Sequence, residues 1–527
     1  MEENKNSITI GFDVTKNAVY NANRWMMAFR KVIYGPEDFV YARRILNMGN
    51  NQLTQDNILL ITTDQQRFDT VQALGAKNIF TPHLNYMVGE GISFTRCYAD
   101  CPICVPSRTT IMTGLRGFES GVISNATHEA TMVEATKNRT TLPAMLTDAG
   151  YQTYAMGKMH FSPARACYGF EKTRLPLDYM REYDKKRTQA SPKAHGVGEC
   201  EVEPVISTVD TKDSITSWIT DGAIDFIETR DPMRPFFMWT SYTKPHPPFD
   251  PCRDFWELYQ DISVDGAVYG DWSEDIEKAP QGFLAGSYEN TNMRYFTEEQ
   301  VKVSKKAYYA MITQMDYSLG RLFGCLREKG LFENTWLIFT SDHGEMLGDH
   351  HMSQKNMYFE GSAHVPLIIV PPKKYNVKRN IKINTLTEID DIYPTILAMA
   401  GITPTVGHGA NLLQPLKERI FYGNSLDVNF CVMKDNIKLV YSARGDHYLL
   451  FDINKDPMER HDLSKDSEYA AVFEELKEIL LEQVRTTRPD IIVDGKIRTL
   501  EPPKFPGDAQ EHWFGFHYND YSVDTFH

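Results

Sequence analysis

Residues 104–108 read Cys-Val-Pro-Ser-Arg and continue through Thr109, Thr110, Ile111 and Met112 to Thr113 and Gly114. A proline that pre-sets φ, flanked by a cysteine and a β-branched run, reads as a turn feeding the start of a helix. A side chain there faces the helix N-terminus, where unpaired N–H groups favour anions. Two acidic pairs add metal chemistry. Asp64-Gln65 follows the apolar run 57–63, and Asp342-His343 follows the apolar run 336–340. Two carboxylates, an amide and an imidazole converging on one point can hold a divalent cation.

Three more segments carry cations and imidazoles: Gly157-Lys158-Met159-His160, Lys244-Pro245-His246-Pro247-Pro248, and Lys355, shortly after Gly348-Asp349-His350-His351. All lie in loops after strands, where functional residues concentrate. Singly, an Asp after a strand is a cap or turn residue, and a loop Lys or His is a solvated surface group. Together they surround an anion pocket with two lysines and two histidines. Such a pocket suits the ester of a tetrahedral oxyanion, whose oxygens gain charge during reaction.

Several elements must position these residues. The run 57–63 has the composition of a strand buried on both faces. Further strands are expected at 151–156, 236–241, 336–340 and 365–370. Helices are expected at 214–229, at 389–399 before Gly401, and from a Thr297/Gln300 capping box to Lys329, with Gly330 as the stop. Buried strands alternating with helices predict an α/β fold with a mostly parallel sheet. In such sheets, ligands bind beyond the carboxyl ends of the strands, where Asp64, Gln65, Asp342 and His343 lie. After residue 405, short strands at 420–422, 439–441 and 448–451 and a helix at 467–485 predict a smaller α+β unit with an antiparallel sheet. The expected divisions are an N-terminal extension 1–55 with an amphipathic helix near 19–33, a catalytic domain 56–404, a C-terminal subdomain 405–500, and an aromatic-rich tail 501–527.

Composition narrows the function classes. The chain has 527 residues, 42% hydrophobic, with a formal net charge of −14. That charge disfavours nucleic acid or an anionic membrane as partner, since either needs a basic face. No apolar run is long enough to span a bilayer, and residues 1–13 lack the apolar core of an export signal. Eight cysteines are scattered through the sequence, and Cys101-x-x-Cys104 has no second pair to complete a zinc site or a redox fold. A reducing, cytoplasmic setting is expected.

The motifs resemble those of the type I, formylglycine-dependent sulfatases of the alkaline phosphatase superfamily, most of all the soluble bacterial arylsulfatases. The resemblance rests on Cys104-Val105-Pro106-Ser107-Arg108 with Thr113-Gly114, on Gly157-Lys158-Met159-His160, and on Lys244-Pro245-His246-Pro247-Pro248. It extends to the run Ser341-Asp342-His343-Gly344-Glu345-Met346-Leu347-Gly348-Asp349-His350, to Lys355, and to Phe451-Asp452 with Asp456-Pro457-Met458-Glu459. It implies an alkaline-phosphatase-like sandwich with a large mostly parallel central sheet, plus the C-terminal α+β domain. It also implies that a separate maturation enzyme oxidises Cys104 to formylglycine (3-oxoalanine), whose hydrate attacks a sulfate ester, small-molecule or glycan, and later releases inorganic sulfate.

Carried over by position, Asp64, Gln65, residue 104, Asp342 and His343 surround one divalent cation. Arg108 orients the formylglycine, Lys158 and Lys355 neutralise sulfate oxygens, His160 accepts the diol proton, and His246 contacts sulfate and helps protonate the leaving oxygen. Three residues depart from the commonest pattern: Gln65 for Asp, His343 for Asn, and His364 for an Arg before Val-Pro. The first two soften the site. Calcium is the family's usual ion, with manganese or magnesium as alternatives, because imidazole is a poor calcium ligand. They also keep a second activity in view, hydrolysis of phosphonate monoesters or phosphodiesters. The extension and tail are candidates for contacts in a homo-oligomer.

Overall fold

The computed structural model describes residues 55–186, 201–288, 293 and 296–502. The expected helix near 19–33 and the aromatic residues of the tail lie outside them.

The apolar run after Asp56 forms β1 (Asn57–Asp64), buried at every residue. It is central to a nine-stranded sheet with β2 (Ile92–Tyr98), β3 (Gln152–Gly157), β4 (Lys172–Arg174), β5 (Phe236–Pro245), β6 (Thr335–Ser341), β7 (His364–Val370), β8 (Ile381–Ile383) and β9 (Thr387–Glu388). The order is β4-β3-β5-β1-β6-β7-β2-β8, with β9 also on β2. Every pairing is parallel except those of β7, which runs against both β6 and β2. The register sets Ile58 opposite Phe237 on one side and Trp336 on the other. Both faces are covered, which is why these strands read as continuous apolar runs.

The longest helix, Glu298–Glu328, starts at a reciprocal cap. The Thr297 N–H donates to Gln300 Oε1 (2.8 Å), and the Gln300 N–H donates to Thr297 Oγ1 (3.3 Å). Its buried stripe, Ala307, Met311, Met315, Leu319, Leu322 and Leu326, belongs to the same core as Ile219, Ala223 and Ile227 of the helix Ile215–Thr229. Gly330 follows the helix in the left-handed region (φ 67°), as a stop requires. The expected helix at 389–399 is a 3-10 turn at Ile389–Asp391 leading into Ile392–Met399.

The C-terminal sheet is antiparallel: β10 (Ile420–Ser425), β11 (Asn429–Lys434), β12 (Ile437–Ser442) and β13 (His447–Asp452). The helix Ala470–Thr487 covers one face through Leu476, Leu480 and Val484. On β12, Lys438 is fully buried and pairs with Glu360 before β7 and with Glu459 (2.9 Å). One cation between two carboxylates thus ties the small sheet to the segment that enters the large one.

A buried imidazole near this seam gives the fold an acid sensitivity. His350 stacks on Trp272 (4.5 Å), and its Nδ1 lies 2.9 Å from Ser273 Oγ. Burial pushes it down from 6.5 to about 4, against the pull of Asp349. The folded protein therefore binds fewer protons here than the unfolded chain between those values. Stability contributed by this group is complete above 6.5 and is lost as pH falls towards 4, up to about 3 kcal/mol. His350 has φ 52°, which Asn tolerates. Denaturant melts of His350→Asn should show a lower but flatter stability between pH 6.5 and 4; a slope equal to the wild type would contradict this assignment.

Candidate active site

Four adjacent strands, β3, β5, β1 and β6, end on one edge of the sheet, and each delivers a side chain there. β1 ends in Asp64, β6 leads into Asp342 and His343, β3 leads into Lys158, and β5 leads into His246. The turn after β3 needs glycine. Gly157 has φ 97°, and a Cβ on it would sit 1.9 Å from the Ser241 carbonyl oxygen. That close approach lets the Lys158 N–H donate to Ser241 O (2.9 Å) and aims its side chain at the site. Gly157→Ala should destabilise the fold by roughly 2 kcal/mol or more. Displacing Lys158 should also lower turnover by about 100-fold. A melt and steady-state rates check both, and unchanged rates would show that Lys158 is not held from here.

Cys104 arrives as the first residue of the helix Cys104–Thr113, as the Cys-x-Pro pattern predicts, and every residue of this helix is buried. The Val105 N–H is taken by Asn125 Oδ1 (3.2 Å), and Ser107 Oγ donates to the Asp342 carbonyl (2.5 Å). Arg108, 1% exposed, anchors four segments at once. Its Nε donates to Asp342 Oδ2 (2.8 Å), and its terminal nitrogens donate to Asp64 Oδ2 (3.0 Å), Ser241 Oγ (2.8 Å) and the Lys158 carbonyl (2.5 Å). A buried guanidinium so fully paired fixes the two carboxylates relative to the helix.

Ligand atoms of Asp64, Cys104, Asp342 and His343, all buried, lie within 4.8 Å of one another. Cys104 Sγ is 3.2 Å from His343 Nε2 and 3.9 Å from Asp64 Oδ1. His343 Nδ1 lies 2.9 Å from the Gly344 carbonyl. That nitrogen therefore carries a proton, and Nε2 faces the cluster, the orientation a metal-binding histidine requires once Nε2 is deprotonated. Lys158 Nζ is 2.7 Å from Asp64 Oδ2. Lys355 Nζ donates to Gln65 Oε1 (2.5 Å) and lies 3.2 Å from His246 Nε2. His160 and His246 both lie near the Cys104 sulfur.

The charges act on one another. Burial would raise the Cys104 thiol, but Lys355, Lys158 and His343 outweigh it and hold it well below the usual thiol range. Asp64, despite burial, is kept ionised by Lys158, with Arg108 adding to it. Asp342 is raised by burial and by Asp64. Burial would lower Lys158, but Asp64 more than offsets it. His246 is pushed down to about 4, by burial and then by the two lysines, so it is neutral near pH 7.

Gln65 is placed differently from the other expected ligands. It has φ 72°, and its amide donates to Glu345 and to Gln354 Oε1 (3.2 Å). It borders the cluster through Lys355. Glu345 belongs to the Ser-Asp-His-Gly-Glu run, but the sequence gives it no role of its own. It is fully buried and also accepts the N–H groups of Leu347 (3.0 Å) and Gln354. Arg67 clamps the same loop, donating to the carbonyls of Glu345 and Met346 (3.1 Å each) and to Asp349 (2.7 Å). The sequence offers no sign of Arg67 or Ser241, because their partners are far away along the chain. His364, the third departure, stacks between Phe68 (4.0 Å) and Tyr98 (4.7 Å), away from the cluster.

A mostly parallel sheet with four potential metal ligands and two lysines at its carboxyl edge suits a hydrolase of the alkaline phosphatase superfamily, the class to which the relatives assign the chain. Within it, the chain belongs to the sulfatase family, whose model matches residues 56–402, and is a sulfuric ester hydrolase. A model of the C-terminal part of N-sulphoglucosamine sulphohydrolase matches residues 348–486. The chain is 30% identical over 472 residues to an arylsulfatase of Clostridium perfringens, covering 81% of this chain and 94% of that one. It is 27% identical over 439 residues to a choline-sulfatase of Rhizobium meliloti, covering 78% and 82%. Its fold is shared with a phosphonate monoester hydrolase of Agrobacterium radiobacter at a TM-score of 0.68 and 24% identity, covering 82% and 96%. No helix among the described residues is long and apolar enough to cross a membrane.

Proposed function

We propose that this protein hydrolyses the sulfate ester of an aryl alcohol or a carbohydrate to the alcohol and inorganic sulfate, and that residue 104 acts as formylglycine. The observation that carries this is the meeting of Cys104 with Asp64, Asp342 and His343 in one buried cluster flanked by Lys158 and Lys355. A maturation enzyme would supply the aldehyde, whose hydrate offers one hydroxyl to attack sulfur and a second whose deprotonation releases sulfate.

The donor set fits one divalent cation. Asp64, Asp342, His343 and residue 104 would hold it, with Gln65 beside them, and when bound it supplies Lewis acidity at the reacting oxygens. Calcium is the family's usual ion, and the imidazole admits manganese or magnesium. Arg108 hydrogen-bonds both carboxylates and holds the helix start in register. Lys158 and Lys355 neutralise charge that builds on the sulfate oxygens, which is worth most in a buried, water-poor site. His160 is exposed, so it can pass the hydrate's proton to solvent. His246 is neutral, with Nε2 next to the Lys355 ammonium. It can pass a proton from that ammonium to the leaving oxygen. The seven free thiols among the described residues accord with maturation and action in the cytoplasm.

Gln65 and His343 also suit a phosphonate monoester or phosphodiester in the same pocket. Rates of the matured protein on an aryl sulfate and an aryl phosphonate monoester decide between them. A higher kcat/KM on the sulfate is expected. Turnover of the phosphonate alone would replace this function with the second.

A further inference from the structure

The four donors that converge at residue 104 are one thiol sulfur, one imidazole nitrogen and two carboxylate oxygens. We infer that the protein in its thiol state is a zinc site: Asp64, Cys104, Asp342 and His343 hold a zinc ion until the sulfur is oxidised, after which the same place favours a harder ion. The zinc clause stands on the donor set alone. The change of preference rests on the maturation of Cys104 proposed above.

Number and geometry both favour zinc. Structural zinc takes four ligands in a tetrahedron, with Zn–S near 2.3 Å and Zn–N near 2.0–2.1 Å. Those lengths put sulfur and nitrogen about 3.6 Å apart across a tetrahedral angle. The sulfur here lies 3.2 Å from His343 Nε2 and 3.9 Å from Asp64 Oδ1, either side of that value. Gln65 Oε1 accepts from Lys355 Nζ at 2.5 Å, and the charge of that ammonium disfavours a cation on the same oxygen. Calcium needs six to eight oxygens, and the thiol-state cluster brings together two carboxylates.

Ligand chemistry points the same way. Thiolate and imidazole select zinc, while carboxylates and waters suit magnesium, calcium and manganese. The outer contacts of a zinc site are already built: Gly344 O fixes the imidazole tautomer, and Arg108 hydrogen-bonds both carboxylates. Three anionic ligands around a doubly charged ion leave one negative charge, which Lys158 and Arg108 offset. The thiol proton leaves to solvent when the sulfur binds. Formylglycine hydrate replaces the sulfur with hydroxyl oxygens, and with it goes the donor that distinguishes zinc from the hard cations.

The test uses full-length protein made without a maturation enzyme and stripped of metal. Cobalt titration should give a thiolate-to-cobalt charge-transfer band in the near ultraviolet that saturates at one equivalent. Zinc should remove the band, and excess calcium should not. In competition with a chromophoric chelator, Cys104→Ser should weaken zinc binding by about 100-fold or more, and the matured protein should show a comparable loss. Cys101→Ser should keep both band and affinity. No charge-transfer band from the wild-type thiol protein would overturn the inference, whatever the variants do; equal zinc affinity in wild type and Cys104→Ser would do the same. Undiminished zinc affinity in the matured protein would overturn the change of preference alone. Catalytically active protein without formylglycine would sink the maturation reading and that change together, leaving the zinc clause to the thiol-state titration.

Discussion

Cys104→Ser is expected to fold normally and to lose turnover of an aryl sulfate by about 10⁴-fold or more, the scale seen when a nucleophile is removed. Serine is nearly isosteric at the first position of the helix, and Arg108, Ser107 and Asn125 hold that helix without help from the sulfur. The thermal midpoint should therefore stay within a few degrees. The loss is chemical. Sulfate carried on a serine can leave only if water attacks sulfur in a pocket that has just been neutralised, whereas a hemiacetal sulfate can eliminate. Cys101→Ser supplies the contrast. Cys101 is buried, its Sγ 3.8 Å from the Ile123 carbonyl, and it stands outside the ligand cluster. It should keep most of its rate. Equal losses in the two variants would instead point to a redox pair and remove residue 104 from its catalytic role.

Lys355→Ala should lower kcat by about 10²- to 10³-fold, the cost of removing one preorganised charge aimed at oxygens that gain charge in the transition state. Its ammonium touches Gln65 Oε1 and His246 Nε2, so its loss removes both charge neutralisation and the proton source beside the leaving oxygen. KM should change far less than kcat, since the contact strengthens as the reaction proceeds. Stability should change little, because a buried ammonium contributes less net folding energy than its contacts suggest. Steady-state kinetics with a thermal melt checks this. Near-normal kcat would move the sulfate away from Lys355.

How much of this was legible in the sequence depended on where a residue sits on the backbone. Asp64, Asp342, Lys158 and His246 lie at or just after strand ends, and Cys104 at a helix start. At such points the chain direction is set by a regular element, so type and position together announce the role. Gln65 is adjacent to Asp64, yet its φ of 72° turns the side chain into the Glu345–Gln354–Lys355 network, which no local pattern specifies. The parallel core was readable from its apolar runs, but the reversed direction of β7 was not, because a strand buried on both faces reads the same either way. β11 was not legible, since Asp435-Asn436 closes its hairpin without the glycine that usually marks such a turn. Three-residue strands such as β4 and β8 fall below any usable period. The four partners of Arg108 come from distant segments and could be found only in three dimensions.

The most direct check is the mass of the tryptic peptide Cys97–Arg108 from protein that turns over an aryl sulfate. The account predicts that residue 104 has lost its sulfur and two hydrogens and gained one oxygen, seen as the aldehyde or its hydrate, with Cys97 and Cys101 unchanged. An intact thiol at residue 104 in fully active protein would contradict it.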